Sequence, residues 1–203
     1  PHSLINRMDA KGLVDKGQKD GSVMFRCAVS STGEIQKTWT YRGTPESELL
    51  AQELLKCLTQ TVFIPAIFNH QPVSAFFYGT VVFSIAEGKP RLRIFANQET
   101  AEVAKENNFV SPQPFVGPGS NFAGMHYPDE SKVPVAVEAT VDLALKIDAE
   151  GNLKEMNVVG EDPPLLGFGR AAEDDFGKAR FIPAFRDGKP VSCSITLPVY
   201  YEP

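Results

Sequence analysis

Apolar and polar positions alternate along two stretches of the chain as a half-buried strand requires. Val23, Phe25, Cys27 and Val29 share one phase, with Arg26, Ala28 and Ser30 in the other. Val141, Leu143, Leu145 and Ile147 alternate more cleanly with polar partners. A turn glycine, Gly33 or Gly151, follows each stretch and leads into a second predicted strand, about Ile35 to Tyr41 and Leu153 to Val159. The period then changes. Leu50, Leu54 and Leu58 recur at i, i+4 and i+8 and predict an amphipathic helix to about Thr59, with Thr44-Pro45 as N-cap and first helical position. Asp162-Pro163 stands in the same way before Leu165, Phe168, Ala172 and Phe176. Two further strands are predicted after each helix. In the first half they are Phe63 to Phe68 and Pro72 to Ile85, around the turn Asn69-His70-Gln71. In the second half, Asp187-Gly188 is a hairpin turn before Pro190 to Tyr201.

The two halves share more than a pattern. Phe63-Ile64-Pro65-Ala66 returns as Phe181-Ile182-Pro183-Ala184, an offset of 181 − 63 = 118. The same offset carries Gly33 to Gly151, Pro45 to Pro163, and Pro72-Val73-Ser74 to Pro190-Val191-Ser192, with no insertion or deletion. Two segments of roughly 60 residues read as copies of one supersecondary unit. The expected fold class is α+β: two tandem repeats of a small antiparallel sheet packed by one helix. The expected domains are residues 1–85, the first repeat with an N-terminal extension, residues 86–125, a connector, and residues 126–203, the second repeat. Within the connector, Arg91 to Phe95 predicts a strand and Gln98 to Asn107 a short helix, before Ser111-Pro112-Gln113-Pro114 and Gly117-Pro118-Gly119 mark a linker. Phe63, Pro65, Phe181 and Pro183 read as a structural motif that ties each helix exit to its sheet.

Charge and chemistry narrow the function. A net charge of −5 and a pI near 5.3 argue against nucleic acid or an anionic membrane as partner. No run approaches the ~18 apolar residues that span a bilayer. The sequence opens Pro1-His2 without Met, so a leader or anchor is expected to have preceded it. Three cysteines cannot all pair within one chain. Cys27, Cys57 and Cys193 each fall on an inward phase and read as buried thiols, with a Cys27–Cys57 bridge as the alternative. His2, His70 and His126 show no metal-binding spacing, and Gly117-Pro118-Gly119 lacks the Lys-Ser/Thr of a phosphate loop. Glu173, Asp174 and Asp175 read as a solvated helix face. No catalytic residue, metal site or cofactor is expected, and the chain reads as a non-enzyme.

One asymmetry separates the halves. In the last strand of the second, Val191, Cys193, Ile195 and Leu197 face in, against Ser192, Ser194, Thr196 and Pro198. In the first, Val73, Ala75, Phe77, Gly79, Val81 and Phe83 face in, yet the other phase carries Phe76, Tyr78 and Val82. Two apolar faces predict a second covering layer, from the connector, the other domain, a homodimer or a peptide partner. Trp39 and Tyr41 on the neighbouring strand enlarge that patch.

The order Tyr127-Pro128, Val141 to Ile147, Gly151, Ala171-Ala172, Phe181 to Ala184, Gly188-Lys189-Pro190-Val191 and Pro198-Val199-Tyr200 resembles the TonB C-terminal domain. The first half resembles it through Gly33, Phe63 to Ala66, Pro72-Val73 and Val81 to Phe83, and departs at Asn69-His70-Gln71, where the family usually carries a glycine turn. The resemblance implies a periplasmic or cell-envelope protein that binds a protein partner, such as an outer-membrane transporter, by adding a strand to a sheet edge. The residues expected to make that interaction are Trp39, Tyr41, Phe76, Tyr78, Val82, Val199 and Tyr200. The sequence shows neither the membrane anchor nor the Pro-rich spacer of energy-transducing members, so an adaptor or receptor is expected. The alternatives are a self-assembling structural envelope protein or, less favoured, an enzyme with a site between the repeats involving His126, Asp129 and Glu130.

Overall fold

The computed structural model describes residues 3–128 and 136–203. It divides into two compact units, Pro1–Asn107 and Asn108–Pro203. Both mix antiparallel strands with helix: among the described residues, four helices in unit 1 and one in unit 2.

Unit 1 opens with two short helices, α1 (Leu4–Arg7) and α2 (Ala10–Asp15). Strands β1 (Gly21–Val29) and β2 (Ile35–Gly43) form an antiparallel pair, followed by helix α3 (Glu48–Leu58), the short β3 (Ala66–Phe68), and the long β4 (Gln71–Ala86). β5 (Lys89–Phe95) and helix α4 (Thr100–Ala104) complete the unit. β1 lies between β2 and β4, and β4 also pairs with β3 near its start and with β5 near its end. One sheet face carries Val23, Phe25, Cys27, Val29, Val81 and Phe83, all buried with Leu50, Leu54, Cys57 and Leu58 of α3. The three leucines are fully inaccessible, and each such burial is worth about 1.5–3 kcal/mol. Leu4, Met8 and Leu13 join this core from the N-terminal helices.

Unit 2 begins with β6 (Phe109–Val110) and β7 (Gln113–Val116), short strands in the stretch expected to be connector. β8 (Ala139–Ile147), β9 (Leu153–Asp162) and helix α5 (Phe168–Phe176) follow. The unit ends with β10 (Phe181–Ile182), β11 (Ala184–Arg186), β12 (Lys189–Val191) and β13 (Cys193–Tyr201). The principal sheet runs β13-β8-β9, and a smaller one runs β12-β11-β6. β7 pairs with β10. Val141, Leu143, Leu145, Ile147, Leu197 and Val199 are buried with Phe168, Ala172 and Phe176.

Both helices start later than the sequence predicts. Thr44 lies before α3, and its hydroxyl accepts the Ser22 N–H at 2.9 Å, holding β1 to the strand end. The donor at the α3 N-terminus is met from a distance: Leu50 N–H donates to Gln18 Oε1 at 2.9 Å. Asp162-Pro163 lies at the end of β9, and α5 begins at Phe168 after Gly167, which has φ +86°. There the Phe168 N–H donates to Glu161 Oε1 at 2.9 Å.

The Cys27–Cys57 bridge is not made, and both remain buried thiols. Burial pushes the Cys27 thiol up to about 12, and burial with the Glu53 carboxylate pushes Cys57 up to about 11. Neither is poised as a nucleophile. No helix among the described residues is long and apolar enough to cross a membrane.

Candidate protein-interaction edges and faces

Among the described residues of unit 2 the strand order places β13 at one end of its sheet, hydrogen-bonded to β8 from Cys193↔Ile147 through Tyr201↔Ala139. β13 reads Cys-Ser-Ile-Thr-Leu-Pro-Val-Tyr-Tyr and carries no charge. Natural edges are commonly blunted by charged side chains, and an uncharged one is a template for pairing. Pro198 sits within the ladder opposite Asp142. A proline is accommodated in a paired strand where its missing N–H would point away from the neighbour. By alternation, the N–H groups of Ser194 and Thr196 then point away from β8, and those of Leu197 and Val199 point toward it. The Val199 side chain is buried in the core and that of Tyr200 is half-buried on the other face.

The end of β13 is fastened to α5. Tyr201 donates its hydroxyl to Asp175 Oδ2 at 3.2 Å, and the His126 N–H donates to the same oxygen at 2.8 Å. His126 Nδ1 meets Asp175 Oδ1 at 2.6 Å. Asp175 lies in the last turn of α5, where the helix dipole disfavours an anion, so these partners hold it in place. Its side chain is only 7% accessible although Asp174, one step around the helix, is 66% accessible. Asp174 meets Arg170 at 3.2 Å across one helical turn. A cleft of about 470 Å³ opens beside this network, lined by Gly124, His126, Tyr127, Gly167, Arg170 and Asp174 among others. The Tyr127 hydroxyl is committed to Val137, donating to its carbonyl at 2.7 Å and accepting its N–H at 3.0 Å. The arrangement ties His126 and Tyr201 onto the helix and places no nucleophile beside the histidine among the described lining residues. Asp129 and Glu130, named with His126 as an enzyme alternative, lie outside the described residues, as does His2. Asp175→Ala removes an acceptor used by two backbone or phenolic donors and the imidazole. A loss of about 1–3 kcal/mol is expected from unit 2 by urea unfolding, with Asp174→Ala as the near-neutral control.

In unit 1 the second sheet face gathers the five aromatic or apolar residues singled out above for this half. Arg26 pairs across the sheet with Trp39 on one side and Tyr78 on the other. Its guanidinium lies 3.9 Å over the Trp39 ring and 5.6 Å from Phe76, and Lys37 Nζ lies 5.0 Å from the same indole. Tyr41 accepts a hydrogen bond from Gln98 Nε2, which also reaches the Phe25 and Gly79 carbonyls at 3.2 and 3.3 Å. Burial pushes the Tyr41 and Tyr78 phenols up, so both stay neutral. Tyr78 is fully buried and Trp39, Tyr41, Phe76 and Val82 are half-buried. Val82 continues the row further along β4, opposite Arg93 of β5. The residue that sequence patterning passes over is Arg26: a charged side chain in an alternating strand reads as solvent-facing, yet this one is 3% accessible.

The Phe-x-Pro-Ala motif performs one task in both units. Phe63 donates its N–H to the Gly33 carbonyl at 2.8 Å, and Phe181 donates to the Gly151 carbonyl at 3.0 Å. Pro65 and Pro183 lie against the same glycines. The Phe63 ring packs 5.1 Å from Phe77, and Phe181 is fully buried.

Unit 2 is thus a small α+β unit whose principal sheet ends, among the described residues, on an uncharged strand. Residues 123–203 match the family of the Gram-negative bacterial TonB protein C-terminal domain. That family comprises non-enzymatic protein-interaction domains of the periplasm. The match covers less than half of the 203 residues and lies within unit 2. No curated protein matches the chain.

Proposed function

We propose that the chain is a non-catalytic, periplasmic protein-binding module in which β13 pairs its outer edge with an extended segment of an envelope protein, an outer-membrane transporter being the first candidate. The observation that carries this reading is the strand order β13-β8-β9 in the part of the chain that matches the family. Backbone pairing supplies affinity and the alternating side chains of the guest strand supply selectivity.

We also propose that unit 1 is a second copy of the same domain. Its support is geometric recurrence at the offset of 118. β1 and β8 both span nine residues from equivalent starts, Gly21 and Ala139. The isolated bridges Glu34↔Val62 and Asn152↔Arg180 are equivalent, as are the glycine-to-phenylalanine hydrogen bonds. The left-handed turn Asn69-His70, with φ +47° and +62°, stands where Asp187-Gly188 has +51° and +76°.

The test uses the direction of the β13 amides. Ser194→Pro removes a donor aimed away from β8 at an exposed position, so circular dichroism and unit 2 stability should change little. Capture of an outer-membrane protein from Gram-negative envelope extract should fall at least about tenfold, the factor that ~1.4 kcal/mol of lost edge pairing produces. Capture of the chain's own copies alone would transfer the reading to self-assembly. Undiminished capture by folded Ser194→Pro would remove β13 from the interaction.

A further inference from the structure

We propose that β5 is a built-in occupant of the outer edge of β4 in unit 1, so that this stretch of the unit is closed by its own chain. The inference rests on reading unit 1 as a second copy. β4 of unit 1 takes the place of β12 and β13 in unit 2, and its segment from Thr80 corresponds to the chain from Pro198 onward. On that segment β5 lies antiparallel in continuous register, from Thr80↔Phe95 to Ala86↔Lys89. The side of β4 away from β1 is therefore filled from within over Thr80 to Ala86.

The sequence of β5 fits an occupant more than a core strand. Lys89-Pro90-Arg91-Leu92-Arg93-Ile94-Phe95 places Leu92 and Ile94 against the core beside Phe83 and Val81, to which they are paired. Arg91 and Arg93 take the other phase, and both meet Glu106. No β5 residue is fully buried, whereas β1 buries Val23, Phe25, Cys27 and Val29. Having occupied the edge, β5 presents a new one that is blunted by a lysine, two arginines and a proline. β13 carries none of those charges.

Two features hold β5 in place. The loop to β4 is Glu87-Gly88, with φ +53° and +74°, a two-residue hairpin turn of the primed kind. So short a tether gives β5 an effective concentration that an external strand at micromolar level does not match. The second is a latch: α1 and α2 both pack on β5. The latch is itself tied to α3, where the Asp9 N–H donates to Glu53 Oε1 at 3.0 Å and Cys57 Sγ donates to the Arg7 carbonyl at 3.4 Å.

The consequence is a sheet edge in unit 1 that is held in reserve. An external strand reaches that edge only when β5 leaves, and loosening the N-terminal latch favours that departure. The test is hydrogen exchange of the full chain, read locally. In the wild type, amides of β5 should exchange at least about tenfold faster than those of β1, because an occupant opens without global unfolding. In a variant with residues 89–95 replaced by a glycine–serine segment of equal length, the amides from Thr80 to Ala86 should lose protection. A synthetic peptide of residues 88–96 should restore it, and the same peptide with Ile94→Pro should not. Equal protection of β5 and β1 in the wild type would overturn the proposal, even if the replacement variant does not fold. So would a folded variant whose β4 stays protected, or one that the peptide does not restore. Because every readout lies in β4 and β5, failure here leaves the Ser194→Pro result to judge unit 2 separately.

Discussion

Gly151→Ala should destabilise unit 2 by at least about 3 kcal/mol, the sum of backbone strain and a contact that cannot be relieved by a side-chain rotation. Gly151 sits at φ +81°, and a Cβ there would lie 2.0 Å from the Phe181 carbonyl oxygen and 3.1 Å from its carbon. The obstruction is backbone, and it belongs to the residue whose N–H donates to the Gly151 carbonyl at 3.0 Å. Moving Phe181 away would break that bond and pull a fully buried ring from the core. Gly33 presents the same geometry in unit 1, with φ +86° and a Cβ position 1.9 Å from the Phe63 carbonyl oxygen. Gly33→Ala should therefore produce a similar loss, localised to β1, β2 and α3. The internal control is Gly188, also left-handed at φ +76° but with nothing within 4 Å of the Cβ position. Gly188→Ala should cost only about 1 kcal/mol, from conformation alone. Urea unfolding with exchange localised to each unit checks the ranking. Equal losses at Gly151 and Gly188 would show that the close approach to Phe181 is not maintained in solution.

The same glycines show why part of this fold is legible in sequence. A fixed offset, a two-residue strand period and an i, i+4 leucine row are local signals, and each is imposed by burial against one face. The structure places strands over both alternating stretches and a helix over Leu50 to Leu58. What sequence reading misplaces is decided at long range. The helix starts shift because the groups meeting the first N–H donors are Gln18, 32 residues before Leu50, and Glu161 at the end of β9, in place of Thr44 and Asp162. The strands β6 and β7 are invisible in a proline-rich stretch because their reason lies in β11 and β10, some seventy residues later. Arg26 and Asp175 are missed for a common cause. A charged residue reads as exposed until a partner is known, and the partners here, Trp39 and Tyr78 for one, His126 and Tyr201 for the other, come from other elements. The edge character of β13 has a faint local trace in Pro198, which a central strand would not readily hold.

Phe168→Ala is the substitution expected to link stability of unit 2 most directly to binding. The ring is fully buried at the start of α5 and joins the Tyr127 segment to the end of β13, the strand that carries the proposed site. It meets Tyr127 edge-on with centroids 5.2 Å apart, and Tyr201 at 5.4 Å in a tilted contact. Tyr201 is the last residue of β13, and its hydroxyl donates to Asp175 on the same helix. Removing the ring leaves a cavity bordered by both tyrosines, with an expected loss of about 3–5 kcal/mol. That is a large share of the 5–15 kcal/mol typical of a folded domain. The loss should not be spread evenly. Tyr201 loses its packing partner while the ladder from Cys193 to Val199 keeps its bonds to β8, so exchange should rise first at the end of β13. Capture of an envelope partner should then weaken more than the folded fraction alone predicts. Phe168→Leu, which retains most of the volume, should cost no more than about 1.5 kcal/mol and keep capture near wild type. If Phe168→Ala lowers stability but leaves capture per folded molecule unchanged, the productive edge lies toward Cys193 and not at the tyrosine end of the strand.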